Sequence, residues 1–204
     1  LLREIPGDIS VFRKAYKNNK TLAEAVRCYV NELFSNEGVV VIDGDSKSLK
    51  KIFTPVIKQD ITRETTKNCV EQTNKKLEVL GYKTQVYCPD INFFYLDNNP
   101  RNRIEKKDER YIVVDTDLSF SEKEILEVIE NNPEKFSPNV ILRPLYQETI
   151  LPNLAYVGGP AEVVYWLQLK ELFDNHNTLF PILMPRNFAM VIEHNVWRKI
   201  QKTG

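Results

Sequence analysis

One set of residues has the types and spacing to recognise a negatively charged ligand. Arginine guanidinium groups bind carboxylates and phosphates through paired N–H donors, and tyrosine, glutamine and asparagine side chains add directional hydrogen bonds. Backbone N–H groups at a glycine pair before a helix can also face an anion. The candidate binding residues are Arg143, Tyr146, Gln147, Tyr156, Gly158, Gly159, Arg186 and Asn187.

Arg143 is the strongest signal in this set. It directly follows the apolar run Val140–Leu142, which we predict to be a buried strand. A guanidinium at such a place is costly unless it binds a carboxylate or phosphate ligand. An internal ion pair with Glu148 or Glu162 would serve equally well, and the sequence leaves both possibilities open.

The pairs Gly158–Gly159 and Arg186–Asn187 lie at two further element ends. The glycines precede a predicted helix, whose free N–H groups favour an anion. The alternative is a tight turn that needs glycine for conformational reasons alone. Arg186 and Asn187 follow the predicted strand Phe180–Met184, which again places positive and polar groups at a strand end.

Acidic residues follow two other predicted strands. Asp43 and Asp45 come after the run Val39–Ile42, where they could hold a ribose, an amine or a metal ion. Asp115 and Asp117 follow a later strand in the same way. Both pairs are equally compatible with turns built from ordinary turn-forming residues.

Catalytic residues cannot be assigned from spacing. No Cys–His or Ser–His pairing is evident, and neither of the common glycine-rich nucleotide motifs occurs. His176 and His194 have no metal-ligand spacing, so we predict no metal site. The residues therefore indicate recognition of a charged substrate rather than a particular reaction.

The elements that would position these residues predict an α/β fold. Val39–Ile42 is a run of β-branched residues without alternation, as in a strand buried on both faces of a parallel sheet. Together with the strands predicted near residues 141 and 182 and the helices between them, it indicates a Rossmann-like, mostly parallel sheet.

A small antiparallel insertion interrupts this pattern. Thr84–Cys88, Ile91–Leu96 and Tyr111–Val114 read as short strands, and the charged segment Arg101–Arg110 as a solvated hairpin. We therefore divide the chain into an α/β core segment (1–81), an inserted β-rich and helical connecting segment (82–138) and a second core segment (139–204) that carries the candidate ligand residues.

Two capping boxes mark helix starts with a clear physical mechanism. Thr21–Glu24 and Ser121–Glu124 each place a hydroxyl and a glutamate where they satisfy free backbone N–H groups. Gly38 is predicted to end a helix in the left-handed conformation, Pro55 suits the first turn of another helix, and that second helix is predicted to stop at Gly81.

Composition excludes several partner classes. The 204 residues contain 28 Lys and Arg and 28 Asp and Glu, which gives no basic patch for nucleic acid and no apolar run for a membrane. Three widely spaced cysteines favour free thiols and hence a cytoplasmic location. Since the chain begins with leucine, we expect a fragment of a longer protein.

Four blocks of this sequence resemble one family in the same order along the chain. They are GVVVIDGDSKSLKKIFTPVIKQD (38–60), DTDLSFSEKEIL (115–126), FSPNVILRPLYQETILPNLAYVGGPAEVVYWLQLK (136–170) and FPILMPRN (180–187). The blocks resemble the cysteine ligases of bacillithiol biosynthesis, the cysteine-adding enzyme family. The chain is similar to the middle of these longer proteins and lacks their Gly-Gln-Gln and acidic-His segments and their coiled coil.

The resemblance implies an enzyme with a Rossmann-like fold that forms an amide between cysteine and the amino group of glucosaminyl-malate. It implies ATP as the cofactor, most simply through an acyl-adenylate, and a homodimer built through the coiled coil. It also implies that Arg143 and Arg186 bind malate carboxylates or a phosphate, and that the fragment alone is inactive. The alternative is a non-catalytic nucleotide- or sugar-binding α/β module that acts as an interaction scaffold.

Overall fold

The computed structural model describes residues 9–97 and 101–203, which form helices around two separate sheets. The helices are α1 (Ser10–Asn18), α2 (Leu22–Leu33), α3 (Lys47–Ile52), α4 (Thr54–Arg63), α5 (Thr65–Val79), α6 (Glu122–Asn131), α7 (Leu142–Ile150), α8 (Pro160–Trp166), α9 (Lys170–Asn175) and α10 (His194–Thr203), with 3-10 turns at Pro133–Lys135 and Leu167–Leu169. The strands are β1 (Phe93–Leu96), β2 (Arg101–Lys107), β3 (Arg110–Val113), β4 (Ser119–Phe120), β5 (Phe136–Pro138), β6 (Ala155–Gly158) and β7 (Ile182–Pro185).

The larger sheet has five antiparallel strands in the order β4-β3-β2-β1-β5. Its strands alternate between a buried and a more exposed face, which is the period-2 pattern of a sheet covered on one side. α6 packs against β3, β4 and α4 and covers the buried face. The buried side chains of the sheet include Phe93, Tyr95, Ile104, Tyr111, Val113 and Phe136.

The smaller sheet consists of β6 and β7, which are parallel and pair Ala155 with Ile182 and Gly158 with Pro185. Its inner face packs on an aromatic group, in which Tyr156 stacks on Trp166 at 4.0 Å between ring centroids. On the outer face, Val157 is 60% exposed and Ile182 is 69% exposed. This sheet is therefore covered from one side only by the described residues.

The expectation of a mostly parallel sheet is not confirmed, because the main sheet is antiparallel and, among the described strands, only β6 and β7 pair in parallel. The strand predicted at Val39–Ile42 is wrong: the segment has no ladder partner in the part of the chain that the structure describes, and Val40 is 71% exposed. A run of β-branched residues favours a strand only where a neighbouring strand pairs with it. Thr84–Cys88 likewise forms no strand, because the side chain of Gln168 accepts the N–H groups of Gln85 and Val86 instead.

The strand predicted at Val140–Leu142 is also wrong, since this segment is a turn that leads into α7. Asn139 causes the change: its Oδ1 accepts the N–H groups of Ile141 at 2.8 Å and Leu142 at 3.3 Å. The N–H of Arg143 then donates to the carbonyl of Asn139 at 2.9 Å. These are the bonds of a capped helix start, and they place Arg143 on a helix.

Both helix starts that were predicted from capping boxes are confirmed, whereas the predicted helix ends are confirmed only in part. Both capping boxes form, at Thr21–Glu24 and at Ser121–Glu124. Gly81 follows the end of α5 with a φ of 83°, as a helix end requires. Gly38 also has a left-handed φ, 70°, but α2 already ends at Leu33, so Gly38 belongs to the turn after the helix. The long helix predicted from Pro55 to Leu80 is divided in two by Glu64, which has a φ of 51°.

Within the described ranges, every helix is too short or too polar to cross a membrane.

Candidate functional site

Arg143 and Gln147 occupy one face of α7, because residues four apart are neighbours on a helix. The Nη1 of Arg143 donates to Oε1 of Gln147 at 3.0 Å, and its Nη2 donates to the hydroxyl of Tyr165 at 2.9 Å. The neighbouring hydroxyl of Tyr156 also interacts with this guanidinium. Arg143 is thus held by neutral partners, which leaves its positive charge uncompensated by direct contact with a carboxylate.

The two internal ion pairs considered for Arg143 do not form. Glu148 is buried and accepts hydrogen bonds from Gln147 Nε2 and from the backbone and side chain of Asn153. Glu162 instead accepts from the hydroxyl of Tyr156 at 3.1 Å and from the N–H of Gly159 at 2.7 Å. Arg143 therefore remains available to an anionic ligand on electrostatic grounds.

Glu162 carries the negative charge next to this arginine. The N–H of Gly159 and the hydroxyl of Tyr156 hold its pKa below the usual range, and the charges of Arg186 and Arg143 act in the same direction. A glutamate with a lowered pKa is ionised at neutral pH. It can therefore bind a positively charged group but is a weak proton acceptor.

Gly158 and Gly159 lie at the carboxyl end of β6, next to the carboxyl end of β7. The N–H of Arg186 donates to the carbonyl of Gly158 at 2.8 Å, which extends the ladder by one residue. A Cβ atom at Gly159 would lie 3.3 Å from Nη2 of Arg186, so the absent side chain allows the guanidinium to approach. The N–H of Gly159, expected to face a ligand, is used by Glu162.

These residues form one connected group at the strand ends. We call it the Arg143 cluster, and its members are Arg143, Gln147, Tyr156, Gly158, Gly159, Glu162, Tyr165 and Arg186. In open α/β sheets, ligands bind at the carboxyl ends of parallel strands, and this cluster has that position. It offers two guanidinium groups and one carboxylate to a ligand with charges of both signs.

Tyr146 lies outside the cluster, although the sequence places it among the candidates. Its hydroxyl donates to the carbonyl of Gly44 at 2.8 Å, and its ring packs on Phe53. Burial raises the pKa of Tyr146 to about 12. The side chain therefore anchors the turn after residue 43. Asn187 is exposed and has no hydrogen-bond partner in the described part of the chain.

Lys50 pairs with Asp45 in the turn that Tyr146 anchors, which gives this acidic residue a structural role. Its Nζ is buried, donates to the carbonyl of Phe136 at 2.7 Å and lies 3.3 Å from Oδ1 of Asp45. Burial lowers the pKa of Lys50, while Asp45 opposes that change. Oδ1 of Asp43 accepts the N–H of Asp45 at 3.0 Å, so this segment has the contacts of a structural turn.

Sequence reasoning missed Tyr165 and Lys50 and considered Glu162 only as a possible partner of Arg143. Glu162 did carry a signal, because a glutamate three residues after a helix cap often accepts the N–H of the cap residue. Gly159 has no side chain, so only this half of a capping box can form. Tyr165 and Lys50 are placed by tertiary contacts that local spacing does not reveal.

A family model described as "Bacillithiol biosynthesis BshC, N-terminal Rossmann-like domain" matches residues 6–187. The chain belongs to the BshC family. It is 48% identical over 201 residues to a protein of Cytophaga hutchinsonii, 46% identical over 192 residues to one of Flavobacterium psychrophilum, and 45% identical over 181 residues to one of Flavobacterium johnsoniae. All three relatives share the name Putative cysteine ligase BshC.

The alignments cover 98%, 94% and 89% of this chain but 38%, 36% and 34% of the three relatives. The chain is thus similar to a little over a third of each BshC protein. The matched region includes the whole Arg143 cluster, from Arg143 through Arg186. Membership of the family and its Rossmann-like domain therefore confirm the resemblance seen in the sequence.

Proposed function

We propose that this chain is part of a ligase that joins cysteine to the amino group of glucosaminyl-malate, with ATP as the source of activation. The name shared by the BshC relatives supports a cysteine ligase. The observation that carries the proposal is the Arg143 cluster, in which two arginines and one ionised glutamate meet at the ends of two parallel strands. Both proposed substrates carry carboxylates and an amine.

Arg143 would bind a carboxylate of the malate group. Its guanidinium is half-buried and oriented by Gln147 and Tyr165, so little side-chain freedom is lost when a ligand binds. A carboxylate can accept two parallel hydrogen bonds from such a fork, which fixes the orientation of the substrate. Tyr165 and Gln147 act through Arg143 and are positioning residues.

Glu162 would hold a positively charged amino group, either that of cysteine or that of the sugar before reaction. Its lowered pKa keeps it ionised, so it attracts an ammonium rather than removing a proton. Tyr156 and Gly159 fix the two carboxylate oxygens, so the charge has a defined position. Holding two reactants in one geometry can supply much of the rate of amide formation.

A site for ATP needs hydrogen-bond donors for its phosphates at the ends of β6 and β7. Arg186 is an exposed guanidinium next to Gly159 and has the chemistry to bind a phosphate. The N–H of Gly159 is not available to a phosphate, because it donates a hydrogen bond to Glu162. Arg186 would therefore hold the phosphates, and ATP when bound would supply activation of the cysteine carboxyl group.

The test uses the complete protein with ATP, cysteine and glucosaminyl-malate, with the product followed by mass spectrometry. We expect a product heavier by one cysteinyl residue. Arg143→Gln should lower kcat/KM by about a hundredfold, because it removes a charge-assisted hydrogen bond to the substrate. Arg143→Lys, which keeps the charge without the planar fork, should retain an intermediate rate.

Arg63→Gln is the matched control, because Arg63 is an exposed arginine at the end of α4, outside the cluster. It should leave the rate unchanged. Absence of the cysteinyl product with the unmodified protein would contradict the ligase proposal. A folded Arg143→Gln variant with full turnover would instead show that this cluster does not bind the substrate.

A further inference from the structure

A second polar groove lies outside the Arg143 cluster and shares no lining residue with it. The groove is bounded by the segment from Tyr87 to Phe94, by β2 and by the turn at Asn139, and it encloses about 780 Å³. Its charged lining residues are Arg101, Arg103, Lys106, Asp90 and Glu105. The arrangement of these charges decides what kind of ligand it suits.

The acids of the groove are neutralised from outside it. Asp90 pairs with Lys67 at 2.6 Å, and Glu105 lies 3.8 Å from Lys107. Neither lysine lines the groove. The negative charges are therefore compensated by cations that a ligand in the groove would not meet.

The arginines, in contrast, have no carboxylate partner within the described residues. Nη2 of Arg101 donates to the carbonyl of Pro138 at 2.7 Å, and its guanidinium lies over the ring of Phe94 at 4.0 Å. These contacts orient the group and leave its charge intact. Arg103 is exposed, and its side chain has no hydrogen bond or ion pair within the described residues.

The register places both arginines on one side of the sheet. Arg103 pairs directly with Phe94, and Arg101 is two residues away on the same strand. Residues two apart on a strand face the same side and lie roughly 7 Å from one another. The groove thus has two arginines on one side of the sheet: the guanidinium of Arg101 is oriented over the ring of Phe94, and that of Arg103 extends from the neighbouring position on this face.

We propose that this groove binds a small molecule with two anionic groups, carboxylate or phosphate, held by Arg101 and Arg103. One guanidinium would meet each anionic group: Arg101, oriented over the ring of Phe94, would bind the first, and Arg103 would bind the second. Tyr87, which is 83% exposed, lines the groove as well. The proposal is independent of the ligase activity, because it uses none of the residues assigned to that function.

The test is calorimetric titration of the complete protein with succinate and, separately, with inorganic pyrophosphate. We expect saturable binding of at least one probe, and the preferred probe identifies the anionic chemistry. Arg103→Gln should weaken that binding about tenfold or more, since it removes a charge-assisted contact. Arg103 is exposed, and its side chain forms no hydrogen bond or ion pair within the described residues, so the variant should remain folded. Arg103→Lys should bind with intermediate affinity.

Two controls separate this groove from general charge and from the Arg143 cluster. Arg63→Gln removes an exposed arginine elsewhere and should change affinity by no more than about twofold. Arg143→Gln should leave the binding that depends on Arg103 in place, and any binding that it removes belongs to the Arg143 cluster. The proposal is overturned if neither probe binds saturably, if Arg103→Gln behaves like Arg63→Gln, or if Arg143→Gln abolishes the binding.

Discussion

The five-stranded antiparallel sheet and the two-stranded parallel sheet differ in how completely the described residues cover them. In the first, the inward side chains of Phe136, Tyr111 and Val113 are buried, and α6 packs across the strands. In the second, Val157 and Ile182 point outward with most of their surface exposed. Parallel sheets are normally covered on both faces, so the parallel pair lacks a layer that the antiparallel sheet does not need.

This difference bears on the candidate ligand site. The Arg143 cluster lies on the half-covered sheet and takes its rigidity from one side, where Trp166 packs on Tyr156, Phe173 and Phe180. Its charged groups are nevertheless ordered by direct hydrogen bonds such as Gly159 to Glu162. One wall of a binding site is therefore well defined, although the sheet that carries it is open on the other face.

The largest effect that we expect concerns Asp60, a buried residue of α4 next to the antiparallel sheet. Oδ2 accepts the N–H of Asn92 at 2.6 Å, and Oδ1 accepts its Nδ2 at 3.1 Å. Burial nevertheless raises the pKa of Asp60 from 3.8 to about 6. Between these values the folded chain binds more protons than the unfolded chain, so stability falls as pH rises. The loss from this group is about 3 kcal/mol at pH 7.

Urea unfolding of the unmodified chain and of Asp60→Asn from pH 3.5 to 7.5 measures this effect. The other carboxylates titrate in both proteins, so the difference in unfolding free energy isolates Asp60. The variant should gain stability relative to the parent as pH rises towards 6. The nearby thiol of Cys88 does not interfere, because burial raises its pKa to about 12. A difference that is constant with pH would contradict the prediction.

The next effect compares one substitution in the two sheets. Val113→Ala, at a site in β3 that is 1% exposed, should cost about 2 kcal/mol, because it removes buried methyl groups and leaves a cavity. Val157→Ala, on the open face of β6, should change stability by less than about 0.5 kcal/mol. Unfolding free energies of both variants test the contrast. Equal costs would mean that the outer face of β6 is covered in solution.

The features that sequence predicted correctly depend on nearby residues. The capping boxes at Thr21 and Ser121 need only a hydroxyl and a glutamate three positions later. The predicted strands, in contrast, depend on contacts with distant residues or on side chains that compete for the backbone. Val39–Ile42 has the composition of a buried strand but no partner strand among the described residues. At Val140–Leu142, the side chain of Asn139 accepts backbone N–H groups and starts a helix instead.

The candidate site divides in the same way. Arg143, Gly159 and Arg186 were predicted from residue type and from their places at element ends, and the structure brings them together. Tyr146 was included as a hydrogen-bond donor three residues after Arg143, yet its hydroxyl donates to the carbonyl of Gly44 across the fold. Tyr165 was not among the candidates, because no local pattern shows that a buried tyrosine hydroxyl meets a guanidinium.

The smallest effect compares the two glycines at the end of β6. Gly158→Ala should cost about 1–2 kcal/mol, because the new Cβ would lie 2.7 Å from Cε1 of Tyr156, a ring held against Trp166. Gly159→Ala should cost less than about 0.5 kcal/mol, since its Cβ would meet only the ends of two side chains, Arg186 at 3.3 Å and Oε2 of Glu162 at 3.4 Å. Neither Gly158 nor Gly159 has a positive φ, so an alanine at either position causes no backbone strain that would affect the comparison.

Thermal unfolding compares the stabilities of the two variants, and the affinity of each for an anion at the Arg143 cluster gives a second, independent comparison. Gly159→Ala displaces the Arg186 guanidinium without disturbing the aromatic support, so it should weaken anion binding at the cluster while the melting temperature stays near that of the parent. Gly158→Ala should lower the melting temperature through Tyr156. If Gly159→Ala were instead the more destabilising of the two, the prediction would be wrong. The guanidinium of Arg186 would then be held rigidly at the end of β7, although the outer face of this sheet is exposed.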